Sequence, residues 1–424
     1  MNPIVIIGSG HAGLTLAREL RAKSSDVPLV VLSKEEICAY YKPNLSKALS
    51  MGKTPAQLIM KDASVLTKEL NAKLIGRVEV QTIDHKARRV RYRTEQGEIH
   101  QLDYQALVLA TGASPIQLPV EKSSSVPFLA INNVNDYRTF RNAIEGKKRV
   151  LIIGAGFVGC ELASDLSGAG YEVQVVDKGQ WPLQRAIPEV IGSTIKKAMA
   201  ENGVQWHFGK TVEAAHWAGI NQQTRAGKPV EVTLSDGTVL ETDIIISAVG
   251  LKAETKLAID AGLSVGQGIV IDSFSQTSQE HIYALGDCVQ YEGSTMPFIA
   301  PATQSAKALA QTLTGTPTAF ALPAMAVAVK ISACPTVMWP SVKSRGVWEV
   351  QGAGMDLEAH FMDEHGSIIG FALTGACIAQ KNVLSKRCLD EAARKNEAQS
   401  AEVTTNNLNL PNYRESIVAK TAML

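Results

Sequence analysis

Apolar residues in this chain fall into short β-branched runs, set off by glycine turns and by stretches with helical spacing. Two such units nearly repeat each other about 146 residues apart. They are Pro3-Ile-Val-Ile-Ile-Gly-Ser-Gly-His-Ala-Gly13 and Arg149-Val-Leu-Ile-Ile-Gly-Ala-Gly-Phe-Val-Gly159. In each, an apolar run predicts a buried strand and the glycine cluster a tight turn. The residues that follow, Leu14 to Leu20 and Leu162 to Leu166, carry a helical pattern. A second apolar run comes next, Leu29 to Leu32 in one unit and Glu172 to Val176 in the other. Strand, turn, helix and strand in that order predict a parallel βαβ unit, written twice.

Further runs extend both units. Leu107-Val-Leu-Ala-Thr-Gly112 and Ile244-Ile-Ile-Ser-Ala-Val-Gly250 are strand-then-glycine endings, each expected to close a βαβ region. Thr277-Ser-Gln-Glu-His-Ile-Tyr-Ala-Leu-Gly-Asp287 follows, and then a helical stretch from about Thr303 to Leu313. From about Leu322 the texture changes to short strand-like runs: Ala326 to Ile331, Val347 to Val350, Ala359 to Phe361 and Ile368 to Leu373. A helix is expected near Ile378 to Ala393, so this region reads as an α+β cap. Lys395 to Leu424 shows little apolar periodicity and reads as a mobile tail.

The glycine spacing carries chemistry. In a G-x-G-x-x-G turn, the first glycines (Gly8, Gly154) permit the tight turn, and the second (Gly10, Gly156) let the backbone approach a pyrophosphate. The third (Gly13, Gly159) let helix and strand pack closely. Free N–H groups at the helix start then face the phosphates. About 18 residues past Gly159, the strand ends in Val175-Val-Asp-Lys178. A carboxylate at Asp177 accepts hydrogen bonds from ribose hydroxyls and repels a 2′-phosphate, which favours NADH over NADPH, while Lys178 beside it is the kind of residue an NADPH site carries.

Composition narrows the function classes. The 424 residues are 45% hydrophobic and 20% charged, ordinary for a globular protein, so wholesale disorder is excluded. Lys+Arg 42 against Asp+Glu 41 leaves a formal charge of +1, which gives no nucleic-acid footprint. No apolar run reaches the roughly 18 residues of a membrane span, and the N-terminus lacks a signal-peptide pattern, so a cytoplasmic protein is expected. The six cysteines (Cys38, Cys160, Cys288, Cys334, Cys377, Cys388) are too scattered for a disulfide scaffold and lack metal-ligand spacing. No metal is expected.

Taken in order, GSGHAG, ATG at Ala110, GAGFVG, the Gly250 strand and TSQEHIYALGD resemble the flavoproteins with two dinucleotide-binding domains, one for FAD and one for a nicotinamide nucleotide. The likeness covers about 390 residues. Within that group the chain most closely resembles the rubredoxin–NAD(+) reductases, through Tyr41-Lys-Pro-Asn-Leu-Ser46, Gly156-Phe-Val-Gly-Cys-Glu-Leu-Ala163 and Val327-Ala-Val-Lys-Ile-Ser-Ala-Cys-Pro335. The resemblance implies an α/β fold of two Rossmann-like domains, the second inserted in the first, plus a C-terminal α+β domain. Its expected divisions are 1–115 (FAD, first part), 116–246 (NAD), 247–320 (FAD, second part), 321–394 (C-terminal domain) and 395–424 (tail).

The resemblance also implies residue roles. Gly8, Ser9, Gly10, His11, Ala12 and Gly13 would cradle the FAD pyrophosphate, with Ala110, Thr111 and Gly112 beside them. Gly286 and Asp287 would bind the ribityl chain or pyrophosphate edge. Where the family often has an acid for the adenosine ribose, this chain has Ser33 and Lys34, followed by Glu35 and Glu36. Further FAD contacts are implied near Val80, Ile299 and Lys330, though Lys330 also suits an ordinary surface lysine. Lys42 and Glu161 are expected to form an ion pair beside the flavin and nicotinamide rings, with Glu161 orienting the carboxamide. A helix beginning near Pro301 to Thr303 would aim its N-terminus at the flavin.

No C-x-x-C or C-x-x-x-x-C pair follows the first glycine turn, where disulfide reductases of this group carry theirs. Electrons must then leave the flavin directly, which suits a one-electron carrier such as rubredoxin. Rival readings are a ferredoxin or flavorubredoxin reductase, an NADH oxidase using Cys38, and a flavin-based redox sensor.

Overall fold

The computed structural model describes residues 1–122, 126–219, 229–322, 326–339, 345–391 and 394. The expected tail, 395–424, lies outside the described residues. By contacts the chain forms two compact units. One comprises Met1–Arg185, Gly192–Pro323 and Val329–Cys334, and the other is built mainly on residues from Pro335 onward.

In chain order the elements that frame the first unit are β1 (Ile4–Ile7), α1 (His11–Lys23), β2 (Leu29–Leu32), β3 (Lys73–Ile75) and β4 (Ala106–Leu109). Next come β5 (Phe128–Leu129), β6 (Arg149–Ile153), α2 (Phe157–Gly168), β7 (Glu172–Asp177), β8 (Val204–Phe208) and β9 (Ile244–Ser247). β10 (Ile282–Ala284) and α3 (Ile299–Leu313) complete it. The expected helix start near Pro301 to Thr303 falls slightly earlier, at Ile299.

Two five-stranded parallel sheets result. The first has the order β10-β4-β1-β2-β3 and the second β5-β9-β6-β7-β8. β1 and β2 run in register from Ile4↔Leu29 to Ile7↔Leu32, and β6 and β7 from Arg149↔Glu172 to Ile153↔Val176. Every residue of β1, β2 and β4 is buried, the burial expected of parallel strands covered on both faces. The chain leaves the first sheet after β4 and returns to it at β10, which pairs with β4 from Ile282↔Leu107 to Ala284↔Leu109. The second nucleotide fold is therefore inserted in the first. The outgoing and returning chains pair with each other, Ala113–Pro115 against Leu251–Ala253.

The second unit carries β11 (Val327–Val329) as far as Ala328, with β12 (Thr336–Trp339), β13 (Val347–Ala353), β14 (Asp356–Met362) and β15 (Ile368–Thr374). They form one sheet of order β11-β12-β15-β14-β13, antiparallel from β12 through β13. A 3-10 turn, Gly375–Gln380, leads into a helix over 381–391. Val337, Phe371, Leu373, Leu384 and Cys388 make its core. β12 lies in a stretch where the sequence pattern predicts no strand.

Candidate functional site

The three glycine-bearing segments of the first sheet meet at its carboxyl edge. Gly8 has φ +117°, and a Cβ there would strike the backbone carbonyl of Ala110, so the turn is pressed against Ala110-Thr111-Gly112. A Cβ on Gly286 would come within 2.7 Å of the Ala12 Cβ, which places Gly286-Asp287 over the first turn of α1. The sequence pattern GSGHAG, ATG and GD is thus one place in space.

Helix ends show what this place can hold. The helices Pro55–Leu58, Ala63–Leu70 and Val134–Ile144 are capped by the side chains of Thr54, Asp62 and Asn133. α1 and α2 start instead at Gly10 and Gly156, with no side-chain cap and no acid in the first turn. α3 starts at Phe298 in the same condition. Uncapped N–H groups and an unopposed positive dipole end suit a pyrophosphate. At Gly10 and Gly156 a Cβ would touch no protein atom within 4 Å. The protein's own packing does not demand glycine there, whereas a side chain would fill the cradle above the helix end. These residues fit two dinucleotides.

Around the first turn, Ser9 Oγ donates to Ser33 Oγ at 2.8 Å, and Ser33 is buried at the end of β2. Lys34 beside it is exposed. Glu35 turns away, its Oε1 accepting from Asn133 Nδ2 at 2.8 Å, and burial and Asp136 raise its pKa. His11 lies 3.0 Å through Nε2 from Thr303 Oγ1 in the first turn of α3. Because Thr303 Oγ1 donates to Ile299 O, His11 Nε2 must be the donor. Burial keeps that imidazole below its ordinary pKa. Ile299 is half-buried as the first residue of α3. Val80 packs against the hydrophobic core that backs the first sheet.

In the second turn, Gly159 packs so closely that a Cβ would strike the Gly154 carbonyl. Asp177 ends β7, its carboxylate accepting from Ala155 N at 2.7 Å and Gly179 N at 2.6 Å. Each oxygen keeps a lone pair for a further donor.

The expected ion pair between Lys42 and Glu161 is not formed. Glu161, 6% exposed on α2, accepts from Lys330 Nζ at 2.5 Å and Lys330 N at 3.1 Å. One segment therefore satisfies both carboxylate oxygens. Ser46 Oγ donates to Glu161 Oε2 at 2.5 Å as well. Lys42 begins the 3-10 turn Lys42–Ser46 and points elsewhere, its Nζ 3.7 Å from Asp287 Oδ2. The first and last residues of a single turn face different partners, so Ser46, and not Lys42, meets α2.

Sequence reasoning missed Ser46, Thr303 and Asp165. The available signal was on α2, where two acids four residues apart lie on one helix face and must find donors once that face is buried. Asp165, 5% exposed, accepts from Leu49 N, Ser50 N and Ser50 Oγ.

None of the six cysteines is in a disulfide, and five of the six are buried. Burial pushes the Cys38 thiol up, and Glu36 and Glu35 push it further. Burial also raises Cys160, Cys288, Cys377 and Cys388. A reactive thiol needs the opposite shift.

Two dinucleotide turns on tandem parallel sheets, joined to a separate antiparallel domain, define a two-nucleotide oxidoreductase. The chain belongs to the family described as pyridine nucleotide-disulphide oxidoreductase, whose profile matches residues 2–308, and a rubredoxin binding C-terminal domain matches residues 319–388. It is 39% identical over 387 residues to a rubredoxin-NAD(+) reductase of Alcanivorax borkumensis, covering 91% of this chain and 98% of that protein. A protein of the same description from Acinetobacter baylyi is 37% identical over 386 residues, covering 90% and 96%. Among solved structures, a ferredoxin reductase from Rhodopseudomonas palustris superposes with a TM-score of 0.77 at 27% identity, covering 88% of this chain and 91% of that one.

Proposed function

We propose that the protein is an NADH-dependent FAD reductase that delivers single electrons to rubredoxin. The observation that carries this is the seating of its thiols: none is in a disulfide, none has the spacing of a redox pair, and burial opposes thiolate formation at five of them. Bound FAD supplies the conversion from a hydride pair to single electrons. Gly8 to Gly13, Ala110 to Gly112 and Gly286-Asp287 hold it, with Ser33 and Lys34 toward its adenosine ribose and Val80, Ile299 and Lys330 as further contacts. Gly154, Gly156, Gly159 and Asp177 hold NADH, and the Asp177 carboxylate discriminates against a 2′-phosphate. Lys42 and Glu161 serve the junction of the two rings, each neutralised by a separate partner.

The C-terminal domain receives the carrier, in keeping with the family of that segment and the names of the relatives. The divisions 1–115, 116–246, 247–320 and 321–394 are our working domains. No described helix is long and apolar enough to cross a membrane. We assign the protein to the cytoplasm, whose reducing milieu suits six cysteines with no disulfide among them.

Anaerobic stopped flow tests this reading. NADH should bleach the flavin, and oxidised rubredoxin should restore its colour with higher efficiency than a ferredoxin. A faster ferredoxin reaction, or a purified protein that cannot take up flavin, would refute it. Cys38→Ser should leave turnover intact; its loss would favour the oxidase reading.

A further inference from the structure

Asp165 has no place in the chemistry above, yet it is among the most completely enclosed charged side chains of the described residues. It sits one helical turn after Glu161 on α2, so both carboxylates leave the same face. Both reach the segment that starts with Lys42. Glu161 takes the Ser46 hydroxyl. Asp165 takes Leu49 N on Oδ2 at 3.0 Å, and Ser50 N at 3.0 Å and Ser50 Oγ at 2.5 Å on Oδ1. On the same helix, Ser164 Oγ accepts from Ser332 N at 3.1 Å, beside the segment that carries Lys330. The nicotinamide-side helix thus grips the two stretches that bring Lys42 and Lys330 to the site. A buried carboxylate is costly without donors: burial pushes the Asp165 pKa above its ordinary value, and the three donors from Ser50 and Leu49 offset only part of that cost.

We propose that Asp165 is a positioning residue for hydride transfer, acting through the Leu49–Ser50 peptide to hold the Lys42–Ser46 turn at a fixed distance from Glu161. The proposal rests on the reading that Lys42 and Glu161 serve the flavin–nicotinamide junction. Geometry is where such a residue acts: a displacement of about 1 Å in a reacting pair costs up to roughly 100-fold in rate. NADH affinity comes chiefly from the glycine turn and Asp177, which the clasp does not touch.

Asp165→Asn tests the clasp at almost unchanged volume. An amide can accept from Ser50, but its NH2 must then face the Leu49 N–H, so one contact becomes repulsive. In the FAD-loaded protein, flavin reduction by saturating NADH should slow about 10-fold or more, with the NADH Michaelis constant changed less than about threefold. Amide hydrogen exchange over Leu49 and Ser50 should speed up in the same variant, a readout independent of turnover. Ser50→Ala, which removes one of three donors, should slow reduction at least about twofold, and its effect should be smaller in the Asp165→Asn background than in the parent. Reduction of Asp165→Asn within about twofold of the parent overturns the proposal, as does unchanged exchange. If Asp165→Asn fails to fold, Ser50→Ala decides alone: an unaltered reduction rate overturns the proposal, and a slowed one upholds it. If NADH does not reduce the parent protein at all, the functional reading has failed, and the two failures are told apart.

Discussion

Glu161 is the residue on which two other segments converge. Its carboxylate holds Lys330 by side chain and backbone and takes a third donor from Ser46. Glu161→Gln keeps the shape but removes the charge opposite an ammonium that is only 29% exposed. The expected result is slower reduction of the flavin by NADH or a raised Michaelis constant, with a loss of about 1–3 kcal/mol in stability. Stopped flow and a denaturant melt measure both. A second residue-scale prediction concerns Asp243. Burial opposes its ionisation, but the Arg149 guanidinium and the N–H groups of Arg149 and Lys148 outweigh burial and hold its pKa at about 2. A folded pKa below the unfolded one contributes stability that is complete above about pH 4 and is lost as pH falls toward 2. Asp243→Asn should therefore cost about 1–2 kcal/mol near neutral pH, in denaturant melts against the parent. That gap should stay constant down to about pH 5 and close below about pH 4.

At the scale of elements, the fold was legible where local signals suffice. β-branched runs, glycine turns and the helices after them are decided within a few residues, and β1, α1, β2 and β6 form where the pattern places them. β12 was not legible. Thr336–Trp339 is short, follows a proline and has no alternation, so its strand state comes from pairing with β15, Thr336↔Thr374 to Trp339↔Phe371. The glycine turns make a prediction of their own. A Cβ at residue 8 meets the Ala110 backbone at a φ that L side chains avoid, so Gly8→Ala should yield protein with little visible flavin absorbance. A Cβ at residue 159 meets the Gly154 carbonyl, forcing α2 away from β6. Gly159→Ala should keep its flavin, lose about 1–3 kcal/mol of stability and raise the NADH Michaelis constant severalfold. If both variants lost flavin equally, the division of the two turns between two nucleotides would be wrong.

Across the whole molecule, the candidate site was legible in its backbone cradles and illegible in its ion pairs. GSGHAG and GAGFVG are contiguous, so their purpose can be read locally. The partner of Glu161 depends on where residues 46, 161 and 330 arrive together, and only the folded chain fixes that. The same long-range arrangement decides how electrons leave. A route through sulfur would need a thiolate near the flavin, and Cys38, the one cysteine close to the first turn in sequence, is 9% exposed with its thiol pushed up by burial and two glutamates. Cys160, Cys288, Cys334 and Cys388 are buried as well, leaving Cys377 in the C-terminal domain as the accessible thiol. Alkylating the native, flavin-loaded protein should therefore label Cys377 first and leave the rate of rubredoxin reduction by NADH within about a fifth of the untreated value. Mass spectrometry of the labelled protein, set beside its turnover, checks both parts. Abolished turnover with label on Cys38 would mean that a cysteine stands between the flavin and the carrier, whereas abolished turnover with label on Cys377 alone would place the carrier's contact on that thiol.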